Sequence, residues 1–213
     1  MAEAEGFVLA GGRSTRMGQE KALLQLAGKT LVDLALDKLR RLPLASPPRL
    51  AGAASDLSSH APVVPDVHPG CGPLSGMEAA LASSTHSLNV FLPVDVPLLP
   101  HSFLAWMLMR AETTGALITV PRIGGELQPL CAVYHRSLLD LFTASLLAGN
   151  HKVVAAITAA ADGRAIDIFD TERVASANSA LLERSPFPPR RWFHNCNTPE
   201  DMALLRNALV LDQ

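Results

Sequence analysis

Four segments of this chain carry residues whose types and spacing suit chemistry on a charged ligand. The first is Leu9-Ala-Gly-Gly-Arg-Ser-Thr-Arg-Met-Gly-Gln-Glu-Lys21. Gly11 and Gly12 would let the main chain approach a phosphate with its N–H groups exposed, while Arg13, Arg16 and Lys21 supply positive charge. A solvated basic loop would share this composition. The spacing is neither Gly-x-Gly-x-x-Gly nor a P-loop, and Gly28-Lys29-Thr30 is preceded by Leu23 where a P-loop needs glycine, so it reads as a turn and helix start. The second is Asp95, at the end of the apolar run Phe91-Leu-Pro-Val94. A carboxylate there suits Mg²⁺, which takes one or two carboxylates together with phosphate oxygens and water. A turn-forming aspartate would look the same.

The third segment, Asp66-Val-His-Pro-Gly-Cys-Gly-Pro-Leu-Ser-Gly76, combines glycines and prolines just before a helical pattern. It fits close main-chain contact with a nucleotide at a helix N-terminus, or a rigid connector. The fourth is Trp192-Phe-His-Asn-Cys-Asn-Thr-Pro199. Asn195 and Asn197 share a face if the backbone is extended, offering amide donors and acceptors to a ligand or caps to the helix that follows. His68 with Cys71 and His194 with Cys196 lack zinc spacing, and Cys131 with His135 has nothing beside it that marks a nucleophile.

The elements that must position these residues alternate along the chain. Apolar runs at 6–10, 49–52, 63–64, 89–94, 116–121, 129–134 and 165–169 read as strands. Helical spacing places helices at 30–42, 73–84, 102–112, 137–147, 153–160 and 199–209, with Pro73 at a first helical position and Thr198 as an N-cap. Within the first helix, Leu31, Leu34, Ala35, Leu39 and Leu42 form the inner stripe, and Asp33, Asp37, Lys38 and Arg41 lie outside it. The order predicts an α/β fold: a three-layer, mostly parallel, doubly wound Rossmann-like sheet, which binds ligands at the carboxyl ends of its strands. The glycine-rich loop and Asp95 both fall at such ends.

The composition bounds the rest. The 213 residues are 48% hydrophobic and 18% charged with a formal net charge of −2, which predicts one globular domain. No bulk positive field is available to hold nucleic acid or an anionic membrane. No run approaches the roughly 18–20 apolar residues of a membrane span, and Met1-Ala-Glu-Ala-Glu5 is unlike a signal peptide. The three cysteines are scattered, which predicts reduced thiols and a cytoplasmic setting.

Taken in order, Leu9 to Lys21, Asp66 to Gly76, Leu92-Pro-Val-Asp-Val-Pro97, Gln128-Pro-Leu130 and Asn195-Cys-Asn-Thr-Pro-Glu-Asp201 resemble the molybdenum cofactor guanylyltransferase family of α/β nucleotidyltransferases. The resemblance implies transfer of GMP from GTP to molybdenum-bearing molybdopterin, with pyrophosphate released and Mg²⁺ as cofactor. It implies nucleotide contacts from Leu9, Gly11, Gly12, Arg13, Lys21, Asp66 and Asp95. Lys21, Asp95 and Arg16 would carry catalysis, Asp95 as the metal ligand, and Asn195, Asn197 and Gln128 would face the acceptor. The nucleotide half would span about 1–100 and the acceptor half about 101–213. Molybdenum-insertion proteins and molybdoenzyme chaperones are the implied protein partners. Three departures stand out: Glu20 replaces an aspartate, Ala53 falls where an asparagine often contacts the nucleotide, and 172–191 is longer than the family needs, as a surface excursion or partner contact. A cytidylyltransferase on the same pterin, a sugar-phosphate nucleotidyltransferase and a non-catalytic pterin-binding module are the alternatives. Ala10-Gly11-Gly12 favours guanine over the cytidylyl enzymes, which more often show Ala-Ala-Gly.

Overall fold

The computed structural model describes residues 3–11, 20–52, 55–160, 166–183, 185–196 and 198–210. Gly12, Arg13, Arg16, Ala53 and Asn197 lie outside the described residues. In chain order the elements are β1 (Ala4–Leu9), β2 (Gln25–Leu26), β3 (Lys29–Thr30), α1 (Leu31–Leu39), β4 (Arg49–Ala51), β5 (Val63–Val64), α2 (Pro73–Ser83), β6 (Leu88–Pro93), α3 (His101–Thr114) and β7 (Ile118–Ile123). They continue as β8 (Glu126–Leu127), β9 (Ala132–His135), α4 (Leu139–Leu147), α5 (Val153–Ala160), β10 (Ile166–Asp170), α6 (Thr171–Ala177), α7 (Ser179–Glu183), α8 (Pro189–Trp192) and α9 (Pro199–Val210).

The main sheet runs β10-β7-β9-β6-β1-β4-β5, with β8 paired to β7. β1 is parallel to both neighbours, β4 and β6, and β9 runs antiparallel to both β6 and β7. Successive residues of β1 serve opposite layers. Val8 packs with α1 and α3, whereas Phe7 and Leu9 pack with α2, α4 and α5. Burial on both faces is why this strand reads as a continuous apolar run. Phe7 sits opposite Phe91 with stacked rings 5.5 Å apart, and Phe91 meets Tyr134 edge-on at 5.6 Å, which ties three strands together through one aromatic row.

Local chemistry sets several element ends. Thr30 caps α1, its hydroxyl accepting from Asp33 N–H at 3.2 Å, and Thr198 with Asp201 forms a reciprocal cap on α9 at 3.1 and 2.9 Å. Gly124 and Gly125, at φ of 56° and 86°, turn β7 into β8 as a two-residue hairpin requires. The α1 helix stops at Leu39, short of the expected residue 42, ahead of Pro43.

Two further expectations change. The first strand begins at Ala4, not residue 6, and takes in Glu5, which a charge-free strand pattern does not anticipate. The Glu5 carboxylate is buried but satisfied: Arg49, Thr85 N–H at 3.0 Å and His86 Nδ1 at 2.8 Å all reach it. The stretch 172–191 runs mostly exposed along the surface, but it is helical and docked rather than loose. It folds into α6, α7 and α8, burying Ala175, Leu181 and Phe187, and Trp192 is buried just beyond it. The Trp192 indole N–H donates to Phe187 O at 2.8 Å, and the Trp192 and Phe103 rings lie 5.2 Å apart, which docks the stretch on α3. Among the described residues no helix is long and apolar enough to cross a membrane.

Candidate functional site

β1, β4 and β6 lie side by side and parallel, so Leu9, Ala51 and Pro93 leave the sheet at one edge. The chain turns from β1 to β4 on one side and comes back to β6 on the other, the crossover that opens a ligand crevice in doubly wound sheets. Ala10 N–H donates to Ala51 O and Val94 N–H to Leu9 O, each at 3.2 Å, so the exits stay zipped one residue past the strands.

Beyond that zipper the main chains cross almost in contact. A Cβ on Gly11 would stand 2.0 Å from Gly52 O, and one on Gly76 would stand 2.9 Å from Gly52 N. Gly52 itself has a φ of 63°, which glycine adopts without strain. Three glycines therefore let the first loop, the end of β4 and the first turns of α2 meet. The space they leave is a cleft of about 620 Å³, lined by residues including Leu9, Gly11, Gly52, Asp66, Gly72 and Gly76. Its size matches sites for small molecules and nucleotides. The N-cap of α2 is Gly72 and makes no side-chain cap bond; Pro73 has no N–H and Ser75 N–H donates to Gly72 O at 3.2 Å, which leaves Leu74 N–H as the first-turn donor with no cap side chain competing for it.

Asp66 forms part of the wall. Its Oδ1 is buried and meets no hydrogen-bond partner among the described residues. Burial pushes its carboxyl above the usual range, and the charge of Glu78 adds to this. A buried acceptor with spare capacity, set in a cleft wall, suits a ligand N–H or O–H.

At the end of β6, Lys21 Nζ donates to Asp95 Oδ2 at 2.8 Å, although the two residues are far apart in sequence. The side chains are 17% and 24% exposed, so the pair is sheltered yet still reachable from solvent. Glu20, next to Lys21, has its carboxyl pushed up, first by burial and then by the charge and hydrogen bond of Asp56. Cys196 N–H donates to Asp95 O at 2.8 Å, which brings the segment carrying Asn195 against the same strand end.

The structure thus gathers Leu9, Gly11 and Asp66 on one cleft, and joins Lys21, Asp95 and the main chain beside Asn195 at the neighbouring strand end. Gln128 stands apart from the cleft lining. It precedes β9 at the same sheet edge, but its side-chain amide turns back to Glu126 O at 3.5 Å and its main-chain N–H to Pro121 O at 2.9 Å. Sequence reasoning missed two features. Gly76 was read as part of a segment for close main-chain contact, but its crossing with Gly52, a glycine given no role, was not foreseen. Lys38, placed outside the apolar stripe, instead reaches inward, Nζ donating to Pro97 O at 2.6 Å and Val96 O at 3.2 Å.

Comparison with known proteins places this geometry among its relatives. The family model described as "MobA-like NTP transferase domain" matches residues 6–163. The chain is 33% identical to a probable molybdenum cofactor guanylyltransferase of Pelotomaculum thermopropionicum, over 97% of this chain and 93% of that one. It is 34% identical to a molybdenum cofactor guanylyltransferase of Rhizobium meliloti, over 92% and 87%. Its fold superposes on the crystal structure of molybdopterin-guanine dinucleotide biosynthesis protein A from Archaeoglobus fulgidus with a TM-score of 0.78, at 23% identity, covering 97% of this chain and 99% of that one.

Proposed function

The chain belongs to the MobA-like NTP transferase family, and from that premise we propose that it joins the GMP part of GTP to molybdopterin carrying molybdenum, releasing pyrophosphate. Relatives bearing the guanylyltransferase name, aligned over nearly its whole length, support the reaction. The structural observation that carries the reading is the sheltered Lys21–Asp95 pair beside a glycine-walled cleft. We treat the whole chain as one transferase domain, working in the cytoplasm, with molybdenum-insertion proteins before it and molybdoenzyme chaperones after it.

In this reading an oxygen of the pterin's terminal phosphate attacks the α-phosphorus of GTP. The bond from the α-phosphorus to the bridging oxygen breaks, and that oxygen leaves with pyrophosphate. Two anions must meet and charge grows on the leaving oxygen, so the protein's task is positioning and charge compensation, with no protein nucleophile. Gly11 and the start of α2 would bring main-chain N–H groups to the nucleotide. Lys21 would pair with its phosphates. Asp66 would accept a hydrogen bond from the nucleoside through its buried Oδ1. Asn195 and Asn197 would serve the pterin side, with Arg13 and Arg16 supporting the phosphates and Gln128 more remote.

Among the described residues no group of three His, Cys, Asp or Glu side chains could hold a metal by itself. Asp95 alone fits Mg²⁺, an ion that takes one or two carboxylates and fills its remaining positions with phosphate oxygens and water. Bound there it would neutralise charge on the triphosphate.

The test is calorimetry of GTP, CTP, ATP and UTP binding with and without Mg²⁺, followed by pyrophosphate release in the presence of molybdopterin. Preference for GTP and pyrophosphate release that requires the pterin are the expected results. Preference for CTP would move the reading to a cytidylyltransferase, and absence of nucleotide binding would move it to a non-catalytic pterin carrier.

A further inference from the structure

Lys38 lies outside the cleft lining and outside the Lys21–Asp95 pair, yet it holds the chain that carries Asp95. From α1 its ammonium reaches Val96 O and Pro97 O at 3.2 and 2.6 Å, the carbonyls of the two residues directly after Asp95. Lys38 is half-buried, with the Cys131 thiol near its ammonium, and desolvation lowers its pKa to about 7. For the fold alone this is an expensive choice, because an apolar side chain of similar length would fill the space without a charge to desolvate. What an apolar side chain cannot do is grip two carbonyls. The same short segment is fixed at further points: Lys21 holds the Asp95 carboxylate, Cys196 N–H holds the Asp95 carbonyl at 2.8 Å, and Leu99 N–H closes a turn on Val96 O at 3.3 Å.

We propose that Lys38 is a positioning residue for Asp95: by holding the Val96 and Pro97 carbonyls from α1, it sets the direction in which the chain leaves β6 and so the place at which the Asp95 carboxylate meets Lys21 and the substrate phosphates. The catalytic consequence rests on the transferase reading above; the grip itself does not.

The test is Lys38→Met in the full chain, with Lys38→Gln as a second variant should the first yield little folded protein. Four quantities are read: kcat, KM for GTP, Tm, and amide hydrogen exchange resolved by residue. The expected result is a kcat lowered ~10- to 100-fold, with KM for GTP within about twofold of the parent. Tm should stay near the parent value, and exchange should accelerate at Leu99 and Cys196 while the sheet amides keep their protection. Parent-like kcat with unchanged protection at Leu99 and Cys196 would overturn the proposal. So would a loss of kcat accompanied by a lowered Tm and faster exchange throughout the sheet, which is the signature of a merely structural lysine. Should the parent enzyme itself transfer no GMP, the transferase reading falls, and exchange at Leu99 and Cys196 still decides whether Lys38 holds this segment.

Discussion

The substitution Gly11→Ala addresses the main-chain crossing at the floor of the cleft. Its new methyl would stand 2.0 Å from Gly52 O, where ordinary contact begins at 3.4 Å, so the exits of β1 and β4 must part by about 1.4 Å. No flexible side chain can give way, because the obstructing atom is main chain and its neighbour Gly76 packs against the far side. Overpacking of this kind costs about 1–3 kcal/mol, which for a chain of this size lowers Tm by roughly 2–12 °C. The functional loss should be larger than the stability loss suggests, since a displacement of about 1 Å between reacting groups can cost ~100-fold in rate. The assay pairs GTP calorimetry and pyrophosphate release with a thermal melt, using Gly124→Ala as the control. Gly124, unlike Gly11, has a positive φ, and no atom lies within 4 Å of the place a Cβ would take, so its alanine variant should lose about 1–2 kcal/mol and keep its GTP affinity. A Gly11→Ala enzyme that binds GTP and turns over like the parent would refute the reasoning.

Three further results are expected. Asp95→Asn should lower Mg²⁺-dependent transfer ~100-fold or more while the fold persists, since charge compensation at phosphate is the main catalytic task; near-parent turnover would remove its assigned role. Lys21→Ala should weaken GTP binding by about 1.5–3 kcal/mol and guanosine binding far less, as loss of a charge-assisted phosphate contact demands; an equal loss for both ligands would count against that contact. The third concerns pH. The buried Glu5 carboxyl, held by His86, Thr85 and Arg49, is lowered from 4.5 to about 2 despite the opposing effect of burial. Its stabilisation, on the order of 3 kcal/mol, is therefore complete above about pH 4.5 and lost as pH falls toward 2. His86 is raised, chiefly by its hydrogen bond to Glu5, so its contribution is present below 6.5 and lost as pH rises through its folded value. Urea unfolding of Glu5→Gln against the parent from pH 2 to 8 should show the difference between them vanish at the acid end; a constant difference would contradict the assignment.

What was legible in the sequence was local. The apolar run at 6–10, proline at the start of α2 and the Thr198 cap each follow from a few neighbouring residues, and each was found in place or nearly so. Lys21 and Asp95 could be named separately, but that they form one ion pair depends on how β1 and β6 align. The illegible features are encounters between distant segments. Nothing near Lys38 says that carbonyls of the β6–α3 connection lie above it, and helical periodicity sent it to solvent. Glu5 looks hostile to a buried strand until Arg49, Thr85 and His86 are brought to it. Residues 172–191 read as a surface excursion or partner contact because nothing near them in the chain names a packing partner for Leu181 or Phe187, and the aromatic surroundings of Phe103 that receive Trp192 just beyond them come from a distant helix.

The distribution of aromatic residues gives each layer of the molecule its own optical reporter. Both tryptophans, Trp106 and Trp192, adjoin Phe103 on the α1–α3 side of the sheet, whereas the single tyrosine, Tyr134, lies on the opposite side against Phe91 and Phe142. Indole emission therefore follows the docking of α6 to α8, while the near-ultraviolet signal of the phenol follows the layer built from α2, α4 and α5. Superimposable melting curves from the two chromophores would mean that the layers come apart as one cooperative unit, and separated curves would give the order in which they do so.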